Sequence, residues 1–205
     1  MKCLNAHAFR WGLERRRSVR DFSEEPVPQA VVQELVRAAS TAPSGANKQP
    51  WTFVAVCDPA MTRRIREAAE EKACINYSGR MDAEWIEDLK PLRTDARKPY
   101  LEIAPWLLAV FKRAYEVDSE GRKRPHYYVN ESVGIATAML STAAHHAGLV
   151  ALTHTPSPMN FLASLLGRPS YERPYLLIPI GFPSEDCRVP DIAKKRLDQV
   201  LVVHK

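Results

Sequence analysis

Four arginines, Arg15, Arg16, Arg17 and Arg20, surround one serine, Ser18, in the stretch ERRRSVRDF, residues 14 to 22. Guanidinium forks meet phosphate oxygens two at a time, and a hydroxyl beside them adds a further donor. The cluster therefore suits a single phosphate, while the same run also fits a solvated helix face or a nucleic-acid patch. A second stretch, TAPSGANKQP (41 to 50), is built of small and turn-forming residues, so its backbone can approach a bound molecule closely. Its bland alternative is a plain turn. Other chemistries find no support. The eight glycines make neither GxGxxG nor GxxxxGK[ST], and no GxSxG accompanies the histidines. Cys3, Cys57, Cys74 and Cys187 are too scattered for metal-ligand spacing, so no metal is expected. His145 and His146 fall among alanines on a helix, a structural setting, and Asp21, Glu24 and Glu25 read as solvated charges.

The elements that must position these residues are legible from periodicity. A helix is expected over 7 to 17, and a clearer one begins at Pro28, placing Val31, Val32, Leu35, Val36 and Ala39 on one stripe. WTFVAVC, from Trp51, is a buried strand. Asp58 and Pro59 then cap a helix that turns Met61, Ile65, Ala68 and Ala69 inward. Residues 72 to 100 loosen into an amphipathic, proline-interrupted cover with Trp85, Ile86 and Leu89 as apolar points. APWLLAVFK is a second strand, followed by a charged hairpin or loop, and Asn130 is expected to cap a long central helix ending at Gly148. VALTHT and YLLIPIGFP are further strands, with a short helix between them stopped at Gly167. Helices and strands intersperse without strict alternation, so the fold class is α+β, a sheet flanked by helices in one domain over 1 to 205. The final QVLVV is strand-like but has no partner nearby in sequence, so the extension over 184 to 205 is expected to embrace a second subunit.

Composition narrows the class. Hydrophobic residues at 45% and charged residues at 26% are globular averages, which excludes a disordered or fibrous chain. The net charge of +5 comes from acids and bases mixed along the chain rather than gathered on one face, and no aromatics interleave the arginines. Both features argue against a nucleic-acid partner. No apolar run is long enough for a signal peptide or a membrane span, so no membrane is expected, and the scattered cysteines suit a reduced, cytoplasmic setting.

The fragments RRSVRDF (16 to 22), TAPSGANKQPWTFVAV (41 to 56), THTP (153 to 156) and LIPIGFP (177 to 183) together resemble the FMN-dependent nitroreductase superfamily, in order and spacing over nearly the whole chain. INYSGRM, DLKPLRT, HYYVNESVGIA, LLGRP and VPDIAKKRLDQ extend the resemblance to its iodotyrosine deiodinase branch. The resemblance implies a nitroreductase-like fold with a mixed, mostly antiparallel sheet, an FMN cofactor, and a homodimer with two flavins at its interface. It places the FMN phosphate on Arg16, Arg17, Ser18 and Arg20, with Lys194 where the family carries an arginine. It places the flavin against Pro43, Ser44 and Gly45 and against Thr153, His154 and Thr155. The Thr155 hydroxyl would face flavin N5, which favours one-electron transfer over hydride transfer, and the Ala46 N–H would hold a substrate phenolate as an oxyanion hole does.

A lid over about 70 to 100 would clamp the substrate. The resemblance implies a glutamate, a tyrosine and a lysine there; Tyr77 and Lys98 match, while Ala73 stands where the glutamate is expected, with Glu70 one turn earlier. The implied reaction is reductive dehalogenation of a halotyrosine or related halophenol, with NAD(P)H or a flavin reductase as electron donor. Ala73 favours the rival reading, a broad-range NAD(P)H-dependent nitroreductase or flavin reductase.

Overall fold

The computed structural model describes residues 2–92 and 94–204; Arg93 of the expected lid and Lys205 of the expected extension lie outside these. Four strands form one antiparallel sheet in the order β1 (Trp51–Val56), β2 (Trp106–Arg113), β6 (Glu172–Gly181) and β5 (Val150–Ala151). A parallel bridge from Ser18 to Ala151 adds the arginine segment to the β5 edge. The charged stretch after β2 is a hairpin of β3 (Tyr115–Val117) and β4 (Lys123–Pro125).

Side chains alternate across a strand, so the sheet separates two apolar layers. Leu108, Val110, Ile178 and Ile180 face α2 (Gln29–Ser40) and α6 (Val129–His146), meeting Val32, Leu35, Ala39, Val133, Ala136 and Leu140. Leu107, Ala109, Phe111 and Leu177 face the other way, onto α3 (Pro59–Ile75), α5 (Tyr100–Ile103) and α7 (Phe161–Leu165), meeting Ile65, Ala69, Leu101 and Leu162. The α2 stripe is buried as its spacing predicts, and Asp58 caps α3 by accepting the Met61 N–H at 2.8 Å. An exposed helix, α1 (Lys2–Glu14), precedes the arginines, starting and ending a few residues before the expected 7 to 17.

Two sequence expectations are corrected. The residue before α6 is Tyr128, held in the left-handed region at φ 47°, and Asn130 lies within the helix, where its side chain accepts from Lys112 Nζ at 2.8 Å. The left-handed entry into the helix is a tertiary effect that local pattern does not reveal. QVLVV forms no strand: a 3-10 turn at Leu197–Gln199 precedes exposed Val200–Val203. A strand needs a neighbour to take its backbone hydrogen bonds, and the described residues offer none at that place.

Candidate flavin site

The arginine cluster separates into unlike members. Arg15 is exposed and stacks over Trp11, its guanidinium 5.4 Å from the ring centre. Arg16 and Arg17 are half-buried, and Arg17 donates to the Pro190 carbonyl, which ties the cluster to the returning C-terminal segment. Together Arg16, Arg17, Ser18 and Arg20 line a cleft of about 390 Å³ with Thr153, Leu152, Pro190 and Lys194. Three arginines, a lysine and a hydroxyl with no carboxylate lining the cleft form the donor set that a phosphate monoester needs. The Arg20 Nε adds an orphan: it is buried and has no hydrogen-bond partner.

His154 is stitched to β6 by two backbone bonds with Leu177, both 2.9 Å, which fixes the segment Thr153–Thr155 beside the cradle. Its ring meets the Tyr100 ring edge-on at 5.8 Å, with Nδ1 3.5 Å from the Tyr100 hydroxyl and Nε2 buried without a partner. Burial, then the Lys98 and Arg20 charges, lowers the His154 pKa to about 3, so the imidazole is neutral in the fold. Burial also pushes the Tyr100 phenol up, and it remains protonated.

Lys98 is 5% exposed, an uncommon burial for an ammonium group. Its Nζ donates to Thr94 Oγ1 at 3.2 Å and to the Asp95 carbonyl, and it sits 5.8 Å from the centre of the Tyr77 ring. The Tyr77 hydroxyl donates to the Thr94 carbonyl at 3.1 Å. Burial is the main cause that lowers the Lys98 pKa; Asp95 opposes it and Arg20 adds to it. The lid segment itself runs from the end of α3 through a π-helical turn, Asn76–Arg80, into α4 (Ala83–Leu89). Ala73 is half-buried near the end of α3. Glu70 does not reach round to replace the expected carboxylate: it accepts the Lys98 backbone N–H at 2.6 Å and Arg66 Nη1 at 2.6 Å, and Arg66 Nε also reaches Glu102 at 2.6 Å. The i,i+4 spacing of Arg66 and Glu70 was readable in the sequence; the part played by Tyr100 left no signal there.

The small-residue loop is a 3-10 turn, Gly45–Asn47, with Ala46 at φ 50° and Asn47 at φ 52°. Gly45 is obligatory, since a Cβ there would lie 2.6 Å from the Tyr127 carbonyl oxygen. Ser44 Oγ accepts the Gln49 N–H at 3.0 Å, and the Gly45 N–H donates to Ser132 Oγ at 3.3 Å. The Asn47 and Lys48 N–H groups close the turn onto the Ser44 and Gly45 carbonyls, and neither bond uses the exposed Ala46 N–H.

The chain thus brings together Arg16, Arg17, Ser18, Arg20, Thr153, His154, Tyr77, Lys98 and Lys194, and it holds Pro43, Ser44, Gly45 and Ala46 elsewhere. Gly45 is bonded to Ser132 in the first turn of α6, whereas Arg15, Arg16 and Arg17 share a cleft with His145 in its last turn, where His145 Nε2 donates to the Gly12 carbonyl at 2.8 Å. Those two turns are roughly 20 Å apart along the helix axis.

A four-stranded antiparallel sheet between two helical layers, with a cation-lined cleft on the β5 edge, defines an α+β class suited to an anionic cofactor. A profile described as the Nitroreductase family matches residues 13–182, and the chain belongs to that family. It is 55% identical over 192 residues to the iodotyrosine deiodinase of Haliscomenobacter hydrossis, covering 94% of this chain and 86% of that protein. It is 49% identical over 191 residues to iodotyrosine deiodinase 1 of Mus musculus, covering 93% and 67%. Among solved structures, that of oxidized iodotyrosine deiodinase bound to FMN and 3-iodo-L-tyrosine superposes with a TM-score of 0.82 at 29% identity, covering 96% of this chain and 98% of that one.

Proposed function

We propose that this chain is an FMN-dependent reductive dehalogenase of a halotyrosine or related halophenol, active as a homodimer. The observation that carries the reading is the junction of the arginine cradle with the lid base, where Arg20, Lys98, Tyr100 and His154 meet beside Thr153–Thr155. The reading is supported by the likeness to deiodinases over more than nine-tenths of the chain. The dimer is supported by the placement of the loop at Pro43–Ala46: it lies at the opposite end of α6 from the cradle, and in this reading a second copy presents its own loop. The exposed Leu197, Val200, Leu201, Val202 and Val203 give the tail an apolar surface for such a partner.

In this reading Arg16, Arg17, Ser18 and Lys194 hold the phosphate, and the flavin, when bound, supplies the two electrons that replace an aryl halogen by hydrogen. The substrate phenolate takes the Ala46 N–H of the second copy, a backbone donor preset at no side-chain cost. Tyr77 and Lys98 close the lid over the ring and exclude water, and the Thr155 hydroxyl would hydrogen-bond the flavin and support one-electron transfer. The halide leaves as the anion, and one proton enters the ring in its place. NAD(P)H or a separate flavin reductase restores the electrons. Four free cysteines suit the cytoplasm, and among the described residues no helix is long and apolar enough to cross a membrane.

Anaerobic turnover of 3-iodotyrosine and 2-iodophenol by the reduced holoenzyme tests this; free iodide is expected, and its absence with both compounds overturns the reading. Ala73 favours a second reading, a broad-range nitroreductase, which rapid NAD(P)H-driven reduction of nitroaromatics without halide release would select.

A further inference from the structure

Left-handed backbone is concentrated in one place. Among the described residues, four that are not glycine take a positive φ: Ala46 at 50°, Asn47 at 52°, Gln49 at 47° and Tyr128 at 47°. Three belong to the small-residue loop. The fourth packs against it, since a Cβ on Gly45 would lie 3.0 Å from the Tyr128 ring and 2.6 Å from the Tyr127 carbonyl oxygen. Such backbone is unfavourable for a residue with a side chain and persists only where its surroundings over-determine it. Ala46 sits in the middle, and neither bond of the turn uses its N–H.

The surroundings grip the loop on both sides of Ala46. On one side the Gly45 N–H donates to Ser132 Oγ at 3.3 Å, and that hydroxyl spends its own proton on the Tyr128 carbonyl at 2.6 Å. Ser132 is buried, so the relay has no water to replace it. On the other side Lys48 Nζ donates to Glu116 Oε1 at 3.0 Å, joining the loop to β3 across 68 residues. The Lys48 ammonium holds the Glu116 carboxyl below the usual carboxylate range, so the pair is ionised. The other oxygen of Glu116 faces the buried His126 ring, with Nε2 3.7 Å away. His126 in turn ties the β3–β4 hairpin to the end of β2. Its N–H donates to the Ala114 carbonyl at 2.9 Å and its Nδ1 to the Arg113 carbonyl at 3.0 Å. The Arg113 N–H closes the circuit on the Pro50 carbonyl at 3.0 Å, where the loop enters β1.

We propose that Glu116, acting through Lys48, and Ser132, acting through Gly45, are positioning residues that brace the loop and aim the Ala46 N–H at the substrate phenolate. With Gly45 and Lys48 both gripped, the peptide between them is kept from relaxing. A half-exposed ion pair adds little to global stability, so the leverage of Lys48 and Glu116 is positional: a displaced donor no longer meets the oxygen charge it is meant to hold. The inference deepens the dehalogenase reading and rests on it for the phenolate, while the brace rests on the loop geometry.

Two measurements on the oxidised FMN holoenzyme test it: hydrogen exchange over residues 44–48, and affinity for 2-iodophenol against 2-iodoanisole by quenching of flavin fluorescence. The wild type is expected to bind the phenol about tenfold more tightly, because the anisole cannot offer an oxygen anion. Glu116→Gln and Lys48→Met are each expected to speed exchange of the loop and to shrink that preference about threefold or more, with FMN and anisole affinity within twofold and Tm little changed. The double variant is expected to be no worse than either single one, as partners in one contact require. Ser132→Ala, at a buried site, should act in the same direction with a fall in Tm as well, so the half-exposed pair decides. Unchanged exchange and preference in both single variants, or equal weakening of phenol and anisole, overturns the inference even where iodide is released. Faster loop exchange in the variants with no phenol preference in the wild type supports the brace and overturns the dehalogenase reading instead.

Discussion

The arginine cradle and the lid base hold comparable numbers of charged groups and treat them in opposite ways. In the cradle the cations of Arg16, Arg17, Arg20 and Lys194 converge on a cleft with no carboxylate in its lining, and Arg20 Nε has no partner. At the lid base Arg66, Glu70, Glu102 and Arg63 neutralise one another, Arg66 also pairs with Glu67 at 3.6 Å, and Glu70 holds the Lys98 backbone N–H. Uncompensated charge in a half-buried cleft costs stability unless a ligand supplies the counter-charge; compensated charge holds a shape. The cradle is therefore built for an anion from outside, and the lid base is built to keep two distant stretches of chain, residue 70 and residue 98, in register.

The contrast is broken most strongly at Arg17. Arg17→Ala removes both a phosphate fork and the tie to Pro190, so FMN affinity should fall by about 10- to 100-fold in a fluorescence titration while the protein stays folded. Retained affinity would mean that the cluster serves another anion. Next comes Glu70→Gln, which keeps the shape and removes the charge. It should raise the KM for the halophenol about tenfold and leave FMN affinity within twofold, because the substitution loosens Lys98 and leaves the cradle intact.

A smaller effect falls on the pH dependence of stability. His154 has a folded pKa of about 3 against an ordinary value of 6.5, so the unfolded chain takes up a proton that the fold refuses. Stability contributed by the neutral ring is full above pH 6.5 and is lost as pH falls from there toward about 3. His154→Gln, followed by urea unfolding of the apoprotein at a series of pH values, should flatten that decline. The smallest effect is expected at Arg15, whose charge rests on Trp11 outside the cleft: Arg15→Ala should shift FMN affinity by less than about twofold. A larger shift would extend the cradle to the helix surface.

How far these regions were legible in the sequence depended on how local their causes are. The α2 stripe and the Asp58 cap rest on contacts within a few residues, and both formed as expected. The cationic cluster was legible because Arg16, Arg17, Ser18 and Arg20 lie within five residues, and Gly45 because a close backbone approach leaves few other choices. Asn130 looked like a cap and is not one, since the helix already begins at Val129 with Tyr128 before it in the left-handed region. QVLVV looked like a strand, yet among the described residues its backbone has no strand partner.

By itself the sequence determined the contiguous cationic cluster, the small-residue loop, the layered α+β class and the family, because each is encoded in residue type at short spacing. Only the tertiary structure decided that the loop and the cradle lie at opposite ends of α6, that Glu70 is spent on Arg66 and the Lys98 backbone, and that Tyr100 and His154 join the lid base to the cradle. These are matters of distance and of competition for hydrogen-bonding atoms. Both are set only when segments 28 to 133 residues apart are folded against one another.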